Sequence, residues 1–315
     1  MDWHADYHRY SEILTFFQAL AARSPDLVKL KVFGLTHEGR FLMRVTIGPH
    51  KRSEDPDRKR IWLQAMQHAR EWISGATVQY IAESLVNGYG RDPAITRMLD
   101  AVEVVLVPVA NPDGYEYSWM GERLWRKNRR PIQPGVFGVD MNRNWPDHWN
   151  NGGSSPDPRS DVYMGPFAAS EPEVQALMNE FRATPNIVGA IDYHSYSQLL
   201  LYPVGYTLMP SVYQPQFREL GQVFQKAIGD QTPFVPEQSS QLYIASGGAE
   251  DWWFGDQTAK ERGGRIYSIC IELNPSEREN MVGFLLPPSA IRSVGEEQVR
   301  GLMAFVSYTL EHPLL

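Results

Sequence analysis

Residues 60–71 read RIWLQAMQHARE. The first seven of them, 60–66, are a strongly apolar run and read as a buried strand. Residues 73–87 follow with a helical pattern, and residues 102–109 (VEVVLVPV) read as a second buried strand. The short segment His68-Ala69-Arg70-Glu71, polar and chemically equipped, therefore sits between a core strand and a helix.

The same alternation extends in both directions. Toward the N-terminus, residues 7–22 place Tyr10, Ile13, Leu14, Phe17 and Leu20 at helical spacing. Residues 28–33 and 41–47 read as short strands around a His37-Glu38-Gly39 turn. Toward the C-terminus, residues 173–183 read as a helix, 187–193 as a third core strand, 211–229 as a helix, 265–273 as a strand and 289–310 as a final amphipathic helix. Strands alternating with helices predict an α/β fold: a mixed central β-sheet with helices on both faces, in a single domain over residues 1–315. No internal repeat and no linker divides the chain. Two stretches, 128–167 and 230–264, are rich in turn-forming residues and are expected to be irregular. Long irregular segments in a compact domain commonly carry function.

The chain has 315 residues, 43% hydrophobic and 21% charged, enough for a sizeable core. Its 30 basic and 37 acidic residues leave a net charge of −7. That balance makes nucleic acid a poor partner. No apolar run approaches the roughly 20 residues that span a bilayer, so no membrane partner is expected. The opening Met1-Asp2-Trp3-His4 shows no secretory leader. The single cysteine, Cys270, excludes an internal disulfide; this is compatible with the cytoplasm and equally with a secreted enzyme that relies on its core.

Several polar residues stand where the predicted strands end. His68 and Glu71, three residues apart, converge on one metal ion if the chain turns there. The alternative is an exposed polar loop. His194 follows the strand 187–193, in Ile191-Asp192-Tyr193-His194-Ser195-Tyr196. A lone histidine there is as readily a satisfied structural residue as a ligand. Two imidazoles and a carboxylate at the C-terminal edge of an α/β sheet would form a catalytic rather than a structural zinc site. Glu272, ending the apolar stretch 267–271, is the candidate base; its alternative is a salt-bridged strand terminus. Arg126 and Arg143 each suit a carboxylate or an oxyanion, or are solvated surface charges.

Taken together the chain resembles the zinc metallocarboxypeptidase family of the pancreatic carboxypeptidase A and B type, itself a standard case of a zinc site built from two histidines and a glutamate. The likeness runs from Tyr7 to the last helix and rests on five separated motifs in the family's order. These are His68-Ala69-Arg70-Glu71-Trp72, Asn111-Pro112-Asp113-Gly114-Tyr115, Trp125-Arg126-Lys127-Asn128-Arg129, the segment Gly138 to Trp145 (GVDMNRNW), and His194-Ser195-Tyr196-Ser197-Gln198. The resemblance implies one Zn²⁺ per chain on His68, Glu71 and His194, with Glu272 as general base and Arg126 stabilising the oxyanion. It implies that Asn142 and Arg143 hold the substrate's terminal carboxylate, that Tyr243 closes over the substrate, and that Asp140 orients His68. Arg70, Tyr196 and Phe284 would line subsites further up the peptide.

The implied activity is exopeptidase cleavage at the C-termini of peptides or proteins, by a monomer that a protein inhibitor could block. Resemblance to the family's digestive members suggests an extracellular enzyme. The position matched by Glu250 is apolar in the A type and aspartate in the B type, so a carboxylate there predicts preference for C-terminal Lys or Arg. If Glu250 turns away or pairs internally, the preference becomes apolar or mixed. Departures from the digestive members are the absence of cysteine in the 135–160 loop, altered lengths over 236–264 and 272–284, and a start where the mature catalytic domain would start. Two rival readings are another zinc amidohydrolase on the same scaffold and a non-catalytic zinc- or peptide-binding module. Retention of Asn142, Arg143 and Tyr243 argues against the first, and the presence of Glu272 with His68, Glu71 and His194 argues against the second.

Overall fold

The structure is a computed structural model that describes residues 2–52, 55–229, 234–279 and 281–314. Its strands are β1 (Val28–Leu35), β2 (Phe41–Ile47), β3 (Lys59–Ala65), β4 (Val102–Val107), β5 (Pro131–Gln133), β6 (Val136–Phe137), β7 (Ile187–Ser197), β8 (Leu199–Tyr202), β9 (Val235–Gln238) and β10 (Tyr267–Ser276). The α-helices are α1 (Tyr10–Arg23), α2 (Trp72–Gly88), α3 (Pro93–Ala101), α4 (Pro112–Met120), α5 (Pro172–Ala183), α6 (Gln214–Ile228), α7 (Ser239–Leu242), α8 (Ala249–Phe254), α9 (Asp256–Arg262) and α10 (Ile291–Glu311).

Among the described residues eight strands form one sheet in the order β1-β2-β4-β3-β7-β10-β8-β9. Its centre, β4-β3-β7-β10, is parallel, and β1, β2 and β8 add antiparallel pairs. The central strands are buried on both faces, which is why β3 and β4 read as unbroken apolar runs rather than as alternations. On one face Ile61, Leu63, Ile191, Tyr193, Ile269 and Ile271 pack with the apolar sides of α1, α2, α6 and α10. On the other, Trp62, Val105 and Ala190 pack with Val174, Leu177 and Phe181 of α5 and Trp252 and Trp253 of α8. The predicted mixed sheet with helices on both faces is what the chain forms.

The structure corrects several local expectations. The strand predicted over 187–193 continues to Ser197, so His194 lies within β7 rather than after it. Residues 234–264, expected to be irregular, hold β9, α7, α8 and α9; residues 230–233 of that stretch lie outside the described residues. Those elements are only four to seven residues long, too short to display a hydrophobic period. The stretch 128–167 is irregular as expected, apart from the β5–β6 hairpin and one 3₁₀ turn at Met141–Arg143.

Candidate functional site

The sheet's register sets the centre of the site. Glu272 on β10 is paired with His194 on β7, and Asp192 is paired with both Cys270 on β10 and Gln64 on β3. Because side chains alternate along a strand, Asp192, His194, Cys270 and Glu272 all project to the same face. His68 lies in the turn after β3, and Glu71 immediately precedes α2 as its N-cap residue.

These elements bring His68, Glu71 and His194 into one buried cluster. His68 Nδ1 lies 2.7 Å from Glu71 Oε1, His194 Nδ1 lies 2.9 Å from Glu71 Oε2, and the two Nδ1 atoms are 3.1 Å apart. The outer nitrogens are engaged as well: His68 Nε2 reaches Asp140 Oδ1 at 3.1 Å, and His194 Nε2 reaches Asp192 Oδ2 at 2.8 Å. A carboxylate on each Nε2 fixes the tautomer that leaves the Nδ1 lone pair facing inward. Two such lone pairs and a carboxylate aimed at one point repel unless a cation or proton lies between them. The donor set therefore fits zinc, with two nitrogens and one carboxylate and a further position open.

The electrostatics agree. Burial would raise the Glu71 carboxyl, but the His68 and His194 imidazoles hold it well below its ordinary range. Burial would lower His194, yet Asp192 and Glu71 keep its imidazole charged well above the usual histidine range. A proton on His194 therefore competes with a cation for the same place. Metal affinity should therefore rise about 10-fold per pH unit for each proton displaced, as pH climbs through the neutral range toward the raised His194 value. Competition titration with a chelator at pH 6 and pH 8 checks this; equal affinities would contradict it.

Asp140, which precedes a 3₁₀ turn, caps it by accepting from Asn142 N (3.0 Å). Its Oδ2 takes the Arg126 guanidinium through Nε (3.0 Å) and Nη2 (2.8 Å). Burial opposes the charge on Asp140, but Arg126 and His68 hold it far below its usual value. The expected contact between Asp140 and His68 is present, and Arg126 is tied to the same carboxylate rather than standing alone.

Asn142 and Arg143 are buried and pre-positioned. Asn142 Oδ1 accepts from Gln67 Nε2 (3.1 Å) and Ala249 N (2.9 Å), so its amide N–H groups are left for another partner. Arg143 donates through Nη1 to Asn142 O (2.7 Å) and through Nε to Gly153 O (3.1 Å). Its Nη2 faces the Tyr243 hydroxyl at 3.4 Å. Tyr243 itself is half exposed. Gly247 lets the 243–250 segment lie against this turn: its φ is +76°, and a Cβ would fall 2.5 Å from Arg143 O.

Glu250, in the first turn of α8, is buried, with Oε2 lacking any hydrogen-bond partner. Burial, and then the nearby Asp192 carboxylate, raise its pKa. Ser268 Oγ donates to its backbone carbonyl at 2.8 Å, fixing α8 beside β10. Arg70, Phe284 and Tyr196, expected together, do meet: the Arg70 guanidinium lies 4.3 Å from the Phe284 ring centroid, and Tyr196 packs edge-on to that ring at 5.0 Å. Glu272 has no hydrogen-bond partner among the described residues. Burial, followed by repulsion from Glu71, pushes it up to about 8 in the metal-free chain.

Two further residues that hold this cluster together escaped the sequence reading. Asp192 was audible as the residue two positions before His194, on the same strand face. Gln67 ties Asp192 (2.5 Å), Asn142 and Trp145 (2.9 Å) together through contacts 75 to 125 residues away, for which no local signal exists.

Comparisons with known proteins agree with this geometry. A family model described as zinc carboxypeptidase matches residues 13–301. Carboxypeptidase A1 of Rattus norvegicus is 35% identical over 319 residues, spanning 98% of this chain and 72% of that protein. Carboxypeptidase A2 of Mus musculus is 36% identical over 315 residues, spanning 98% and 71%. Among solved structures, bovine thrombin-activatable fibrinolysis inhibitor in complex with tick carboxypeptidase inhibitor superposes with a TM-score of 0.88 at 29% identity, covering 98% of this chain and 99% of that one. Carboxypeptidase A from Helicoverpa armigera gives 0.87 at 26% identity, covering 98% and 75%.

Proposed function

The chain belongs to the zinc carboxypeptidase family, whose members are zinc-dependent hydrolases, and on that premise we propose that it removes C-terminal Lys or Arg from peptides, with residues 1–315 acting as one catalytic unit. His68, Glu71 and His194 hold the zinc. When bound, the metal supplies a Lewis acid for the scissile carbonyl and lowers the pKa of water beside it.

The remaining steps belong to the chain's own side chains. Arg143 Nη2, the Asn142 amide and the Tyr243 hydroxyl receive the substrate's terminal carboxylate, which restricts cleavage to the last bond. Glu272 takes a proton from the attacking water and passes it to the leaving amine. Arg126, with Nε and Nη2 engaged by Asp140, offers Nη1 to the charge developing on the former carbonyl oxygen. Asp140 and Asp192 fix the histidines. Arg70, Tyr196 and Phe284 form an aromatic and cationic wall for residues upstream of the cleaved bond. The enzyme works as a monomer and offers its cleft to a protein inhibitor; the bovine neighbour is in complex with tick carboxypeptidase inhibitor.

The observation that carries the basic preference is the buried, unpaired Glu250 Oε2. A carboxylate without a cation in a closed site is costly, and a Lys or Arg side chain supplies the missing charge. Blocked dipeptides ending in Lys and in Phe should be released with Lys strongly favoured. Glu250→Leu should lower the Lys-to-Phe ratio of kcat/KM by about 100-fold. Because its pKa is raised, Glu250 loses its charge at a higher pH than an ordinary carboxylate, so the Lys preference should shrink early on acidification. Preferred release of Phe by the unaltered enzyme would discard basic selectivity. It would favour the apolar pocket of the A-type relatives, with Glu250 kept neutral.

A further inference from the structure

Away from the cleft, the turn between β1 and β2 carries a second group of metal-binding side chains. His37 lies in that turn, and Glu171 and Glu173 open α5. One ligand atom from each lies within 4.8 Å of the others. His37 Nε2 is 2.9 Å from Glu171 Oε2, the same separation as between His194 Nδ1 and Glu71 Oε2. Both glutamates are fully buried, while the His37 side chain is 21% exposed and marks the way in.

Hydrogen bonds from the surrounding residues hold the two carboxylates in place. Glu171 Oε1 accepts from Arg130 Nη1 (2.8 Å) and Ser170 Oγ (2.6 Å). The Asn128 amide donates to both carboxylates, to Glu171 Oε2 at 2.7 Å and Glu173 Oε2 at 3.1 Å. Its oxygen is held by Val139 N at 2.8 Å. The other Glu173 oxygen accepts the His37 backbone N–H, at 3.2 Å. Arg130 is the one full cation on the pair, and Glu173 has no ion-pair partner among the described residues. Burial pushes Glu173 up to about 7.

We propose that His37, Glu171 and Glu173 form a second divalent-cation site, weaker than the catalytic one, that clamps the β1–β2 turn to the start of α5. One imidazole with two carboxylates suits zinc and its neighbours in the first transition row better than calcium. The site is weaker because His37 Nδ1 has no carboxylate or carbonyl behind it among the described residues, whereas both catalytic histidines do; such partners are worth about 10- to 100-fold in affinity. A proton on His37 satisfies the same carboxylates, so binding strengthens above neutral pH.

Zinc is titrated into the zinc-loaded holoenzyme at pH 8 by calorimetry. One additional site per chain is expected. The His37→Gln and Glu173→Gln variants should weaken it at least about 10-fold and leave peptidase activity without added zinc unchanged. In the unaltered protein the added zinc should also slow carbethoxylation of His37, read by peptide mass spectrometry, so the question is decided even if a variant fails to fold. No additional zinc in the wild type, equal binding in both variants, or unaltered labelling of His37 overturns the proposal.

Discussion

Glu272→Gln should lower kcat by about 10²- to 10⁴-fold, the range lost with a positioned acid–base group, with little change in KM. The amide matches the carboxylate in shape but cannot accept the water proton. Glu272 shares a rung of the sheet with His194, so its position depends on main-chain register rather than on hydrogen bonds of its own. Its chemistry depends on charge. In the metal-free chain burial and Glu71 push it up to about 8, which would leave it mostly protonated and idle at neutral pH. A divalent cation would offset the Glu71 charge and draw that value down, so metal loading should ionise Glu272, the proposed base. The acidic limb of kcat/KM against pH should follow Glu272 and vanish in the variant.

Stability gives an independent sign. A carboxyl raised from 4.5 to about 8 on folding favours the folded state only while protonated. Its contribution is fully present below the unfolded value and is lost as pH rises toward the folded one. The metal-free Glu272→Gln chain should therefore unfold at a higher temperature than the metal-free wild type above about pH 5. A variant that lost activity through damaged packing would unfold earlier instead.

Arg143→Met should reduce kcat/KM for peptides with a free C-terminus by about 10³-fold, roughly 4 kcal/mol, as expected when one member of a buried charge pair is truncated. Asn142 O and Gly153 O already hold the guanidinium before substrate arrives. That fixes Nη2 toward the Tyr243 hydroxyl at little further entropic cost. The distinguishing measurement compares a peptide acid with its C-terminal amide. The wild type should discriminate strongly, and Arg143→Met should treat the two nearly alike. Arg143→Lys should recover only part of the difference, because a single ammonium cannot bond both backbone carbonyls and still face the carboxylate in a fixed direction. An unchanged acid-to-amide ratio in Arg143→Met would assign carboxylate binding elsewhere.

Much of this was legible in the sequence because the central strands are buried on both faces. Runs such as 60–66 and 102–109 announce themselves by composition, and the polar residues that end them are conspicuous by contrast. His68, Glu71 and Glu272 belong to that class. What stayed hidden was encoded in contacts distant along the chain. α3 and α4 each begin with a proline behind an Asp or Asn cap, in Asp92-Pro93 and Asn111-Pro112; at nine residues each they are too short to show a clear helical period. β8 is four residues of Leu and Tyr whose strand character comes from pairing with β10. Arg126 presents in sequence as one charge among several in Trp125-Arg126-Lys127-Asn128-Arg129-Arg130, and only the fold shows that it shares a carboxylate with His68.

The rung that joins His194 to Glu272 spans 77 intervening residues of chain, yet the two are neighbours by main-chain hydrogen bonding alone. Insertions or deletions between them alter α6 to α9 and the segment carrying Tyr243 and Glu250 without moving either residue, since a parallel register is fixed by the strands and not by the length of the crossover. The length of chain between the two is thus free to vary without disturbing the rung. Lengthening the exposed 208–210 stretch between β8 and α6 should therefore leave turnover unchanged, so the crossover can vary while the residues that touch the site are kept.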